Sequence, residues 1–138
     1  MRVSRVCRAL ALVAGLLPTA VSAEEAIFLC HDDTGVPEKL RVDVAHKGVA
    51  MLSGRAPGRC LAVFIDGDTG PVYETTSDYC LFAAWAKGES ARQFVSVSGN
   101  VVTFGATGAG GTQTFTLDMA NGVLDYAGGT DKCLRAKS

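Results

Sequence analysis

The chain has 138 residues, 48% of them hydrophobic and 20% charged, with a formal net charge of −1. That length suits one domain, and the near-neutral balance offers no basic patch of the kind that nucleic acid calls for.

Residues 1–23 have the order of a secretory signal peptide. Arg2, Arg5 and Arg8 open the chain, an uncharged apolar run follows from Ala9 to Leu17, and the small-residue site Val21-Ser22-Ala23 precedes Glu24-Glu25. The run is shorter than the ~20 apolar residues of a membrane-spanning helix. Cys7 lies at the start of that run rather than at the cleavage site, so no lipid anchor is expected. The sequence thus predicts a soluble, periplasmic or secreted mature chain, 24–138, forming a single domain. The leader takes away three of the 13 cations and none of the 14 acids, so 10 cations remain and the mature net charge is −4. Such a charge suits a cationic partner through long-range attraction.

The rest alternates short β-prone runs with turn residues. Ala26 to His31 reads as a strand ahead of the turn Asp32-Asp33-Thr34-Gly35. Leu40, Val42 and Val44 alternate with Arg41, Asp43 and Ala45, the period of a half-buried strand. Lys47-Gly48 turns the chain into Val49 to Leu52, and Ser53 to Arg59 reads as a loop. Cys60 to Asp66 is a further strand, and Gly67 to Pro71 reads as a turn or exposed loop. Tyr79 to Trp85, Arg92 to Val97 and Val101 to Gly105 read as strands, and the glycine-rich stretch Gly105 to Gly111 as a hairpin connection. Thr112 to Asp118 alternates Phe115 and Leu117 against threonines. Asn121-Gly122 signals a hairpin, because both residue types tolerate positive φ. Val123 to Tyr126 and Lys132 to Arg135 close the chain. About nine strands with turn signals every 8–12 residues predict an all-β fold, a small antiparallel β-barrel.

Four cysteines follow the leader: Cys30, Cys60, Cys80 and Cys133. An even count in a small exported domain predicts two disulfides. Three pairings are open, of which the favoured one joins Cys30 to Cys133, first strand to last, and Cys60 to Cys80. None of these cysteines has the close spacing of a zinc site, and His31 and His46 are not spaced as a zinc pair, so no metal or other cofactor is expected.

The residues give no positive sign of catalysis. His31 and His46 read as surface or turn histidines, and the Gly-x-Ser-x-Gly elbow of hydrolases is absent. Asp66, Asp68 and Glu74 fall in or near a turn, where acids are ordinary, although a glycosidase would need such a pair. The loop Asp66-Gly67-Asp68-Thr69-Gly70 has Ser77 where a calcium-binding loop wants its twelfth-position acid. The glycine-rich stretch lacks the Lys-Ser/Thr ending of a phosphate-binding loop.

One region exceeds the needs of a scaffold. Four of the ten aromatics, Tyr73, Tyr79, Phe82 and Trp85, lie between positions 73 and 85, followed by Lys87-Gly88. Aromatics beside a turn and a lysine suit an interface, with core packing as the alternative for Phe82 and Trp85. The stretches Thr69-Gly70-Pro71-Val72-Tyr73 and Phe82-Ala83-Ala84-Trp85-Ala86-Lys87-Gly88, with Glu89-Ser90-Ala91 after them, resemble the two motifs of the MliC/PliC family of inhibitors of C-type lysozyme. Those motifs are Ser-Gly-x-x-Tyr and Tyr-x-x-x-Thr-Lys-Gly, so Thr69, Phe82 and Ala86 depart from them. The resemblance implies an eight-stranded barrel and a partner, C-type lysozyme, whose active-site cleft receives a loop. It implies that Thr69 supplies a hydroxyl and Lys87 an ammonium near the catalytic carboxylates, that Tyr73 shapes the loop, and that Gly70 and Gly88 permit its turns. A cation there disfavours the protonated acid that glycoside cleavage requires. The expected function is that of a non-catalytic periplasmic inhibitor of C-type lysozyme. A periplasmic binding or envelope-structural module is the alternative, and a small hydrolase ranks below both.

Overall fold

A computed structural model describes residues 25–54, 59–75 and 90–137. Among them run eleven strands: β1 Glu25–His31, β2 Pro37–Asp43, β3 Gly48–Ser53, β4 Cys60–Ile65, β5 Thr69–Pro71, β6 Tyr73–Thr75, β7 Ser90–Ser98, β8 Val101–Gly108, β9 Gly111–Asp118, β10 Val123–Tyr126 and β11 Gly129–Ala136. All belong to one antiparallel sheet in the order β5-β7-β8-β9-β10-β11-β1-β2-β3-β4-β6. The two ends of that order, β5 and β6, are consecutive pieces of one stretch of chain separated by Val72 alone. The sheet therefore curves round and returns on itself, a barrel-like arrangement with no long free edge. Counting β5 and β6 as one strand, ten positions go round it, where the family resemblance implied eight.

Period-2 alternation places the core. On β1, Ala26, Phe28 and Cys30 point inward while Glu25, Leu29 and His31 face out. Leu40 and Val42 on β2, Val49 and Met51 on β3, and Ala62 and Phe64 on β4 continue the inner wall. Phe64, Phe104 and Phe115 meet in the middle, with Phe104 and Phe115 stacked at 5.1 Å between ring centroids. Such aromatic contacts fill the interior in the way that small barrels require.

Closure depends on two breaks from ideal ladders. Residues 69–71 pair with β7, Thr69 opposite Arg92, whereas 73–75 pair with β4, Tyr73 opposite Ala62. The Val72 carbonyl still accepts the Val63 N–H at 2.6 Å. Where the chain leaves β4, Gln93 of β7 takes over. Its side-chain oxygen accepts the Ile65 N–H at 2.9 Å, its carbonyl accepts Gly67 N–H, and its own N–H donates to the Asp68 carbonyl. The Asp66 carboxylate accepts the Val95 N–H at 2.9 Å. Gln93 is buried at 5% exposure, so Gln93→Leu is expected to cost about 1–3 kcal/mol through the unsatisfied Ile65 N–H, read as a lower urea midpoint. A variant as stable as the parent would show that this bond does not hold the seam.

Several expectations on connections change. Gly67 to Pro71 is not wholly turn, since Thr69–Pro71 is strand β5. The glycine-rich stretch is mostly strand too: β8 runs to Gly108 and β9 begins at Gly111. Gly105 suits this because a Cβ there would run into the Gln113 carbonyl and the Phe94 ring. Val44 does not extend β2 but starts the turn 44–47, in which Asp43 accepts the His46 N–H. At the Asn121-Gly122 turn only Gly122 takes a positive φ, 67°, and a Cβ there would strike the Cys133 carbonyl.

Cys30 and Cys133 form a disulfide across β1 and β11, as direct partners in the antiparallel register. It is the one disulfide described; the expected pairing of Cys60 with Cys80 involves a residue outside the described ones. The expected strand from Tyr79 to Trp85 and the leader 1–23 also lie outside them.

Candidate functional site

One end of the barrel interior is polar, and the strand period explains why. Inward positions recur every second residue, and at this end each apolar series runs out into a polar side chain. Leu40 is preceded by Glu38 on β2, Met51 is followed by Ser53 on β3, and Phe115 is preceded by Gln113 on β9. Leu124 is followed by Tyr126 on β10, and Cys133 is preceded by Asp131 on β11. Glu38, Ser53, Gln113 and Tyr126, with Asp32 from the β1–β2 loop and the Phe115 ring, line a cavity of about 160 Å³.

Its centre is a carboxyl pair. Asp131 is fully buried, at 0% exposure, and accepts a 2.7 Å hydrogen bond from the Tyr126 hydroxyl. Glu38 meets the Asp131 carboxyl and accepts a longer bond, 3.4 Å, from the Ser53 hydroxyl. Burial first, then the hydrogen bond and charge of Asp131, push the Glu38 carboxyl up to about 8. The pair thus holds one proton at neutral pH, because two carboxylates in contact inside a protein cannot both ionise cheaply. Burial and the Asp131 bond also push the Tyr126 phenol upward. Asp32 behaves oppositely. Bonds from the Thr34 hydroxyl and the Val36 and Thr34 amides hold its carboxyl below the usual range. Three buried oxygens, Glu38 Oε2, Asp131 Oδ2 and Gln113 Oε1, receive no other donor from the described residues. The chemistry of this end is acceptance of hydrogen bonds and of positive charge.

The residues expected to contact a partner lie elsewhere. Thr69 is exposed on β5, and Gly70, half-buried, stands opposite Ala91 of β7 with open space beside its Cα. Tyr73 is on β6, paired with Ala62 of β4. Phe82, Trp85, Lys87 and Gly88 are outside the described residues, so Thr69 and Gly70 share β5, Tyr73 lies on the adjoining β6, and the others are not placed. His31 and His46 are exposed, and His46 is held by Asp43 at 2.8 Å. The Asp66 carboxylate is committed to the β7 backbone.

Sequence reasoning missed the cavity. A signal was present, since continuing the Leu40–Val42 alternation backwards turns Glu38 inward and continuing Phe115–Leu117 backwards does the same for Gln113. Among the described residues no group of three His, Cys, Asp or Glu side chains is placed to hold a metal ion, and no helix is long and apolar enough to cross a membrane. Comparison with protein-family models, with curated proteins and with solved structures found no match to this chain.

Proposed function

We propose that this protein is an exported, non-catalytic binding protein that inhibits C-type lysozyme. In this reading residues 1–23 are removed on export and Cys60 pairs with Cys80 as a second disulfide. The observation that carries the reading is the position of the first motif. Thr69 is exposed on the strand that closes the barrel, two rungs from the pair of Pro71 with Ser90, and in the sequence Ser90 follows the second motif after one intervening residue. A hydroxyl held on a rigid strand is a contact group that loses little entropy on binding. The acidic mature charge favours encounter with a cationic enzyme.

The test is a lysozyme assay with chain 24–138 purified oxidised. Inhibition at micromolar protein is expected, weakened roughly tenfold or more by Lys87→Ala or Thr69→Ala, as for loss of an interface contact worth about 1.4 kcal/mol or more. An absence of inhibition would refute the target, and unchanged potency of both variants would refute the contact residues. A second reading, a binding module for a small ligand, is favoured by the polar cavity at the barrel end.

A further inference from the structure

We propose that the polar end of the barrel is a binding site for a primary alkylammonium, one cationic nitrogen on a short carbon stem. This deepens the small-ligand reading and stands independently of any effect on lysozyme.

The first argument is the imbalance of donors and acceptors. The hydroxyl donors at the cavity are already used, that of Tyr126 on Asp131 and that of Ser53 on Glu38. What is left over on the described residues is acceptor: Gln113 Oε1, buried and without a donor among them, and the oxygens Glu38 Oε2 and Asp131 Oδ2, which have only the proton shared between the two carboxyls. Buried polar atoms in folded proteins are nearly always satisfied. A ligand that satisfies several acceptors at once brings several donors on one atom, and an ammonium carries three.

The second argument is charge. Two carboxyl groups line the site, Asp32 from the β1–β2 loop and Glu38 from β2, and a third, Asp131 from β11, stands behind Glu38 and bonds to it. β3 contributes Ser53, β9 contributes Gln113, and β10 contributes Tyr126. Among the described residues no Lys, Arg or His lines the cavity. An anionic ligand would meet only repulsion there, whereas a cation takes the place of the proton that the two buried carboxyls share.

The third argument is shape and wall chemistry. The cavity holds about 160 Å³, room for a few carbons rather than for a bare ion. The rings of Phe115 and Tyr126, with centroids 6.0 Å apart, form an apolar and aromatic side. Such a side suits a carbon stem and attracts an adjacent ammonium through the ring faces. The described carboxyl groups do not converge as metal ligands do. A free amine and a lysine side chain share this ammonium chemistry, and the arms of the test separate them.

The experiment is an amide NMR titration of the purified oxidised protein with propylammonium. Parallel titrations use 1-propanol, magnesium ion, and lysine capped as its N-acetyl methylamide. Saturable shifts centred on Glu38, Gln113, Tyr126 and Asp131 are expected, with a Kd on the order of millimolar for so small a ligand. Binding should weaken at least tenfold between about pH 9 and about pH 5.5, because the amine must displace the shared proton. Glu38→Gln, which keeps the shape and removes the charge, should weaken binding by at least tenfold, whereas Asp125→Asn on the outer face should not change it. Tighter binding of the capped lysine than of propylammonium would assign the source as a protein side chain, and the reverse a free amine; both agree with the site. Equal shifts with 1-propanol would reduce the cavity to an apolar hole. Displacement of propylammonium by millimolar magnesium would make it a metal site. Either result, or a titration without saturation, overturns the proposal. Because lysozyme is absent from the assay, its outcome is separate from that of the inhibition test.

Discussion

Replacing Cys30 and Cys133 together by alanine is expected to lower the unfolding free energy by about 3–5 kcal/mol, the largest loss from any paired change in the described structure. The bond spans a sequence separation of 103 residues, so it removes a large share of the conformational freedom of the unfolded chain. It also links the first and last strands of the chain, which are neighbours in the sheet. Both sulfur-bearing residues are buried, Cys30 completely, and their replacement leaves part of that space unfilled. Urea denaturation reads the effect. With an m value of about 1.5 kcal/mol/M, the midpoint should fall by roughly 2–3 M. A shift below roughly 0.5 M would mean that the β1–β11 ladder alone holds the two terminal strands together.

The second large effect concerns Glu38, and its sign depends on pH. In the unfolded chain this carboxyl has its ordinary value, and in the folded barrel it is pushed up to about 8. Below about pH 4.5 both states carry the proton, so folding takes up none. Between about 4.5 and about 8 the unfolded state has released the proton and the folded state has kept it, so stability falls as pH rises. Above about 8 the loss is complete. Glutamine keeps the shape, cannot ionise, and offers an N–H to Asp131. Glu38→Gln is therefore expected to match the parent within about 1 kcal/mol at pH 5 and to exceed it by about 2–4 kcal/mol at pH 9. Denaturation at the two pH values measures this directly, and an equal difference at both would refute the shared proton.

Much of the scaffold could be read before any coordinates. The alternation of Leu40 and Val42, and of Phe115 and Leu117, marks the inner face of β2 and β9. The positive φ of Gly122 agrees with the turn expected at Asn121-Gly122. The strand at 69–75 was hidden by Gly67, Gly70 and Pro71, residues that signal turns locally. Its pairing with two different neighbours is a property of the closing sheet rather than of those residues. Gly105 misled in the same way, because its role is to admit the Phe94 ring and the Gln113 carbonyl from strands on either side.

Legible in the residues alone were the all-β class, the alternating faces of β2 and β9, and Cys30 with Cys133 as the favoured pairing of first strand with last. Period-2 patterning and turn chemistry act over a few residues, so these features are local and legible. Strand neighbours and register came from the tertiary structure, and with them the fact that Glu38, Gln113 and Tyr126 line one cavity with Asp131 bonded to Glu38 and Tyr126 behind it. Those residues span nearly a hundred positions, and each alone is an ordinary polar residue near a strand end. What makes them a site is the closure of the sheet, which removes water from around them and leaves two carboxyls to share a proton.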